Sequence, residues 1–436
     1  MSATLLFLIF LIAAILIGWK FNLNVGILGL IFAMILGIYW CDMSVSTIIA
    51  KWPISLTMTL VFVTYFFGYS LNNGTMDKIA LTICYWGRKI PWALPIIMFL
   101  MMCMLATLGI SSFALFAFMA PIVILVGTKC KIHPIVLCQI NVGGAVASAY
   151  SSISTLGATT MNTLSTLGYT GQLANNIRYS MWINAFISEF TVFLILYFIF
   201  KAYKCDTSAA EKPEPFTPVQ KKNFVVIVCV IVLLFVPVIL KSFFPEWTLM
   251  SEVAKFTDVM VVTCIGALVC RVLKLGDDKK AWTHVPISTI VLIGGVTTLI
   301  SVGVDAGAVE AMSKWAGENI NNWWAPVILG TAGSALSYVA STTNVCVPTL
   351  GALVPGIVAN SNFSPHFLLS SLNCSALFSG ASPFSSGGSL TLGGLPDQSQ
   401  RDHVFKWLMI LPFLGWGVSS LLAILRIYVT VGGWPM

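Results

Sequence analysis

Charge is scarce in this sequence: only 9% of its 436 residues are Asp, Glu, Lys or Arg, against about 25% in a soluble domain. That shortage excludes a water-solvated fold. With 58% hydrophobic residues and a mean hydropathy of +0.91, it marks an integral membrane protein. Cysteine motifs are missing too. The 11 cysteines are scattered without a C-x-x-C pair, so they read as small packing residues rather than a metal or disulfide framework. No G-x-S-x-G occurs, and no His or acidic residue accompanies the serine clusters. An intramembrane enzyme would need such a nucleophile with its base, so no enzymatic activity is expected. The net charge of +7 meets no aromatic platform suited to nucleic acid. No basic n-region precedes the first apolar run, so no cleavable signal peptide is expected.

What the chain does have is apolar runs of crossing length, roughly 17–25 residues, near 2–18, 24–40, 54–71, 180–200, 223–240, 257–270, 285–304 and 407–428. Two further spans, 134–165 and 367–395, are broken midway by Ser, Gly and Pro. The runs are continuous rather than alternating, which excludes a membrane β-barrel.

The chain also contains itself twice. ISLTMTLVFVTYFFGYSLNNG (54–74) corresponds to ISTIVLIGGVTTLISVGVDAG (287–307) at a shift of 233, Asn141 to Asn373 at 232, and SSISTLG from Ser151 to SPFSSGG from Ser382 at 231. Duplicated halves with Gly/Ser/Thr-rich interruptions at corresponding places are the sequence mark of a secondary transporter. The expected fold is an all-α polytopic membrane protein of two inverted repeats, each with five transmembrane helices plus one re-entrant hairpin, and with two broken helices in all. The first repeat covers 1–200, with its hairpin at 95–127 and broken helix at 134–165. The second covers 223–436, with its hairpin at 325–356 and broken helix at 367–395. A flexible linker, 201–222, joins them.

Charge supports this layout. With the N-terminus outside and the linker in the cytoplasm, 17 of the 23 Lys and Arg face inward. Only Lys51, Arg178, Lys241, Lys255, Lys314 and Arg426 are left outside. The positive-inside rule asks for such a bias, and the bias disappears if either hairpin is made a full crossing. An inner (plasma) membrane location is expected.

Four polar turns cannot be ordinary membrane helix: 108–121 and 337–350 in the hairpins, 141–160 and 373–394 in the broken helices. Irregular backbone survives at that depth only when buried in protein or lining a wet cavity. Half-helix N-termini there suit an anion, while unwound carbonyls and hydroxyls suit Na⁺. Ser111, Ser112, Ser152, Ser154, Thr343, Asn344, Ser385 and Ser386 are the candidate substrate ligands. Ser111, Ser151, Thr343, Asn344 and Ser382 are the candidates for Na⁺. No ionisable residue falls within 105–128, 134–176 or 325–365, which favours Na⁺ over a carboxyl proton relay. Elsewhere Glu189 is the best candidate for a buried carboxyl, and Asp77 and Asp305 read as helix ends. A channel would want charge or carbonyl rings along a continuous pore, and the paired hairpins argue against one. A proton-coupled carrier or an exchanger of organic or inorganic anions is the alternative.

In the first hairpin Ser111-Ser112-Phe113 is followed by Pro121, and in the second Thr343-Asn344-Val345 is embedded in the polar turn. The broken helices carry Ser151-Ser152-Ile153 and Ser382-Pro383-Phe384. Together these resemble the ion transporter superfamily, within it the divalent anion/Na⁺ symporters. The S-P-F-S-S-G-G run is similar to malonate-permease-like carriers. The resemblance implies import of small di- or tricarboxylates with Na⁺, a mobile domain of hairpins and broken helices, and a scaffold that forms a homodimer among membrane lipid, giving elevator-type alternating access. Removing an amide from a desolvated anion costs about 1.5–3 kcal/mol. Asn344→Ala should therefore weaken dicarboxylate binding at least about tenfold by calorimetry on folded protein.

Overall fold

In a bilayer every backbone N–H and C=O must find its partner inside the protein, and a helix satisfies all but its ends within one segment. The computed structural model is helical, with no strand among the described residues, 3–21, 23–206, 213–244, 246–319, 323–338, 342–395 and 398–432. Six helices are long and apolar enough to cross a membrane: Ile54–Asn72, Ser112–Lys129, Gly171–Ile199, Pro218–Lys241, Asp278–Asp305 and Gln398–Ile424. Shorter apolar helices include Ala3–Gly18 and Val25–Trp40. The chain is a multi-pass membrane protein.

Local structure recurs at the spacing seen in the sequence. Pro53 (φ −75°, ψ 73°) starts a 19-residue helix, Ile54–Asn72, and Pro286 (φ −84°, ψ 73°) starts a 19-residue helix, Ile287–Asp305. Just past each helix the chain turns on a glycine in the left-handed region, Gly74 (φ 75°) and Gly307 (φ 88°), where a side chain would be strained. His133 and Ser364 each cap a helix whose first residue is proline, Pro134 and Pro365.

The two halves interlock. Ala3–Phe21 and Val25–Trp40 pack on Ile287–Asp305 of the second half, and Pro218–Phe243 and Val259–Val272 lie together with Val259–Val272 against Ile54–Asn72 of the first. Ile287–Asp305 thus sits with the first half's first two helices, and Ile54–Asn72 with Val259–Val272 of the second half. Ala3–Phe21, Val25–Trp40 and Ile287–Asp305 share an apolar core containing Phe7, Ala33, Leu36, Leu299 and Val302. The hairpins, the broken helices, Gly171–Ile199 and Gln398–Ile424 pack among themselves in the larger core.

The first hairpin has legs Ala93–Thr107 and Ser112–Lys129. Its second leg, at 18 residues, is by itself long enough to cross. The second hairpin begins with Ala325–Ser337 and returns in short pieces, a π turn Thr342–Cys346, then Val347–Gly351 and Val354–Ala359. The expected linker is shorter than 201–222. Residues 207–212 lie outside the described residues, and a capping box of Thr217 and Gln220 starts a helix at Pro218. Gln220 Nε2 donates to the Asn73 carbonyl (3.0 Å) and Lys78 Nζ to the Pro215 carbonyl (3.0 Å).

Three charged residues clarify the sequence reading. Asp77 pairs with Lys129 (2.8 Å) and Asp305 with Lys51, both at helix ends. Arg178, counted as an outer charge, is instead buried within Gly171–Ile199, its Nη1 donating to the Tyr150 carbonyl (3.0 Å). The cysteines also need a correction. Cys84 and Cys130 form a disulfide, Cα–Cα 6.6 Å, while the nine others described are free. Helix packing brings the two together across 46 residues of sequence, a separation that matches no spacing motif.

The tightest interlock is at glycine. A Cβ on Gly295 would lie 2.9 Å from the Gly26 Cα and closer still to the Gly26 carbonyl, and one on Gly26 would meet the Val291 carbonyl and the Leu292 backbone. Overpacking costs about 1–3 kcal/mol, more when backbone must move. Gly295→Val should therefore lower the thermal midpoint and broaden the size-exclusion peak. Gly417→Ala, whose Cβ meets nothing within 4 Å, should leave both unchanged.

Candidate functional site

Each broken helix is interrupted where a serine leaves helical geometry to cap the segment that follows. Ser154 (φ −85°, ψ 153°) caps Thr155–Thr166, and Ser385 (φ −88°, ψ 166°) caps Ser386–Gly393. A cap residue must be extended for its side-chain oxygen to reach the N–H groups of the first turn, so a helix cannot run through it. Ser154 Oγ accepts from Gly157 N (2.9 Å) and donates to the Ser151 (2.9 Å) and Ala149 carbonyls. Ser385 Oγ accepts from Gly388 N (3.4 Å) and donates to the Ser382 (2.7 Å) and Gly380 carbonyls. Every partner recurs at a shift of 231.

The glycines follow suit. A Cβ on Gly157 would strike the Ser151 carbonyl, and one on Gly388 the Ser382 carbonyl. Close approach is the requirement, since neither glycine is among those with positive φ. The first-half counterpart of Gly388 is thus Gly157.

Two buried asparagines tie the broken helices to other segments. Asn141 Nδ2 donates to Thr391 Oγ1 (2.8 Å) and to the Phe116 carbonyl (3.3 Å), and Asn373 Oδ1 accepts from the Tyr150 hydroxyl (2.9 Å). Asn141 lies in a π turn, Gln139–Gly143. From that turn Gln139 Nε2 donates to the buried Glu189 carboxylate (2.7 Å).

Between the interruptions lies a cavity of about 510 Å³, lined in part by Ser111, Ser112, Phe113, Phe116, Thr343, Ser385 and Ser386. Small-ligand sites occupy roughly 300–1,000 Å³. No charged residue lines it among the described residues. Ser111 and Ser112 stand at the start of Ser112–Lys129, whose cap makes no side-chain hydrogen bond. An uncapped N-terminus offers backbone N–H groups and the positive end of the helix dipole to an anion. On the second-half wall a hydroxyl chain runs from Ser379 to Ser337 to Thr342 (2.5 Å each).

Five of the eight expected substrate ligands therefore share one cavity: Ser111, Ser112, Thr343, Ser385 and Ser386. Ser152 is exposed and outside its lining, and Ser154 is turned inward by its capping bonds. Among the expected Na⁺ ligands, Ser111 and Thr343 line the cavity. Ser151 and Ser382 are buried beside it in sequence but do not line it. Ser151 Oγ donates to the Thr107 carbonyl (2.8 Å), and Ser382 Oγ accepts from Phe384 N (3.3 Å). The side chain of Asn344 lies outside the described residues; its backbone belongs to the π turn Thr342–Cys346.

Sequence reasoning missed the contributors from Ile287–Asp305, namely Thr297, Ile300 and Ser301. The one available signal was the Thr297-Thr298 pair in the middle of an apolar run.

Residues 1–149 match the family model described as dicarboxylate carrier protein MatC N-terminus. The matched segment runs through the first hairpin to the break of the first broken helix. No curated protein matches the chain.

The repeated capping geometry makes a paired test. Gly388→Ala and Gly157→Ala each put a methyl group into a carbonyl that the capping serine needs. Both variants should insert and assemble yet lose at least about 90% of transport, the loss expected from about 1.4 kcal/mol of disruption at the site. Normal uptake by Gly388→Ala in proteoliposomes would mean that the second break is not part of the transport machinery.

Proposed function

We propose that the chain is a secondary active carrier that imports small dicarboxylates, with Na⁺ as the coupling ion. The observation that carries this reading is the cavity itself. Its lining includes hydroxyls from interruptions in both halves and an uncapped helix N-terminus, no charged residue lines it among the described residues, and it has the volume of a small-molecule site. The match of the first third to a dicarboxylate carrier family supports the cargo class. An anion held by dipoles rather than by Lys or Arg can be released when the site turns, whereas a buried ion pair would resist it. The hydroxyl oxygens in the lining, those of Ser111 and Thr343 among them, suit a hard cation co-transported with the anion.

In this proposal the two halves are inverted, and hairpins and broken helices move together against the interlocked helices in an elevator-type exchange of access. The interlocked helices make the homodimer contact within lipid. The N-terminus is outside and the segment before Pro218 is cytoplasmic, in the inner membrane of the cell. Glu189, buried beside the π turn with Gln139 as its hydrogen-bond partner, favours one second reading, a proton-coupled carrier.

Counterflow in proteoliposomes separates these readings. Labelled malonate or succinate should exchange against unlabelled dicarboxylate, citrate more weakly, and sulfate least. Uptake should require a Na⁺ gradient. Ser111→Ala and Thr343→Val should each raise KM about tenfold, since each removes a hydroxyl from a charged ligand. Uptake driven by a pH gradient and indifferent to Na⁺ would replace Na⁺ by the proton and place Glu189 in the coupling step. Current without counterflow would replace the carrier by a channel.

A further inference from the structure

Ile287–Asp305 packs chiefly with the first half's opening helices, although its Val296 and Ile300 also meet Phe384 of the second broken helix. It shares its core with Ala3–Phe21 and Val25–Trp40 and is locked to the latter at Gly295 and Gly26. Two of its turns nevertheless reach the polar cavity through Thr297, Ile300 and Ser301.

Thr297 is the informative one. A threonine inside a helix commonly returns its hydroxyl to the carbonyl four residues back. Thr64, Thr263 and Thr298 do so here, at 2.7, 2.6 and 2.7 Å. Thr64 is the first-half counterpart of Thr297, at the shift of 233. Thr297 Oγ1 instead is buried with no hydrogen-bond partner among the described residues, in a residue that lines the cavity. Tyr338, just past the first leg of the second hairpin, repeats the pattern. Its hydroxyl is buried without a partner among the described residues, and the residue lines the same cavity. Buried polar atoms are nearly always paired, so two orphans on one cavity call for a ligand.

We propose that Thr297 and Tyr338 are cargo-binding residues whose hydroxyls each donate to a carboxylate oxygen of the transported dicarboxylate. The cargo then bridges the hairpin unit, through Tyr338, to a helix outside it, through Thr297. This rests on the carrier reading above. Because Thr297 belongs to the interlocked helices, its contact is made in this arrangement of the two units and is lost when they shift. Tyr338 keeps its contact by travelling with the hairpin.

The test uses full-length protein and succinate or malonate as probe. Thr297→Val deletes an unpaired hydroxyl, so the thermal midpoint without ligand should hold or rise, while affinity for the probe falls about tenfold. Thr297→Ser should restore affinity, and Thr298→Val, whose hydroxyl is satisfied within its helix, should leave it unchanged. Tyr338→Phe should also weaken binding about tenfold. In oriented proteoliposomes Thr297→Val should raise KM from one face only, and Tyr338→Phe from both. A drop in ligand-free stability with unchanged affinity would overturn the inference by making Thr297 structural. An equal effect of Thr297→Val on both faces would overturn the bridge. If Ser111→Ala weakens binding and Thr297→Val does not, the carrier reading stands and this inference falls. If wild-type protein gives no thermal shift with any dicarboxylate, both fall.

Discussion

The structure depends on one small arrangement made twice, a serine that ends a helix by capping its continuation. Ser154 and Ser385 accept from the first turn of the new segment and donate to carbonyls within the break, those of Ser151 and Ser382. An interrupted helix in a membrane would otherwise expose unpaired N–H and C=O groups, each costing several kcal/mol in a water-free interior. The serine offsets much of that cost locally. The break can therefore persist at a point where a continuous helix would be far cheaper to bury. Gly157 and Gly388 belong to the same device, because a side chain there would occupy the space of the carbonyls that the serines engage.

Once the breaks are stable, the rest of the site follows from packing. The asparagine bonds Asn141–Thr391 and Tyr150–Asn373 fasten each broken helix to a segment of the other half. The first hairpin delivers Ser111 and Ser112 at an uncapped helix start, and the second delivers Thr343 from a π turn. The cavity joins hydroxyls to apolar side chains, and no charged residue lines it among the described residues. Outside it the interlocked helices are joined through glycine, with Gly26 against Gly295. Backbones that close leave no room for relative movement between these two helices. Thr297 matters because it belongs to a helix of this glycine-joined group and yet lines the cavity.

The polar turns were legible as positions and less so as contacts. Ser111, Ser112, Thr343, Ser385 and Ser386 meet in one place, whereas Ser152 and Ser154 do not, although all share the same residue chemistry. A serine that caps and a serine that lines look alike in a sequence. Which it becomes is set by the direction of Cα–Cβ once the chain has turned. Arg178 shows the same gap, since a charge near a span's end was taken as an outer charge and is in fact buried against the Tyr150 carbonyl.

The sequence by itself determined that the chain is a helical membrane protein, that its halves share a pattern, and where the helices break. These follow from composition, periodicity and residue type, which act locally: apolar length for crossing, serine and glycine for interruption. The tertiary structure alone decided that Ile287–Asp305 packs on Ala3–Phe21 and Val25–Trp40 and Val259–Val272 on Ile54–Asn72, that Cys84 meets Cys130, and that Thr297 lines the cavity without returning its hydroxyl to its own helix. Those contacts join residues tens to hundreds of positions apart. Their energy comes from surfaces fitting together, and no local pattern in the chain encodes which surfaces meet.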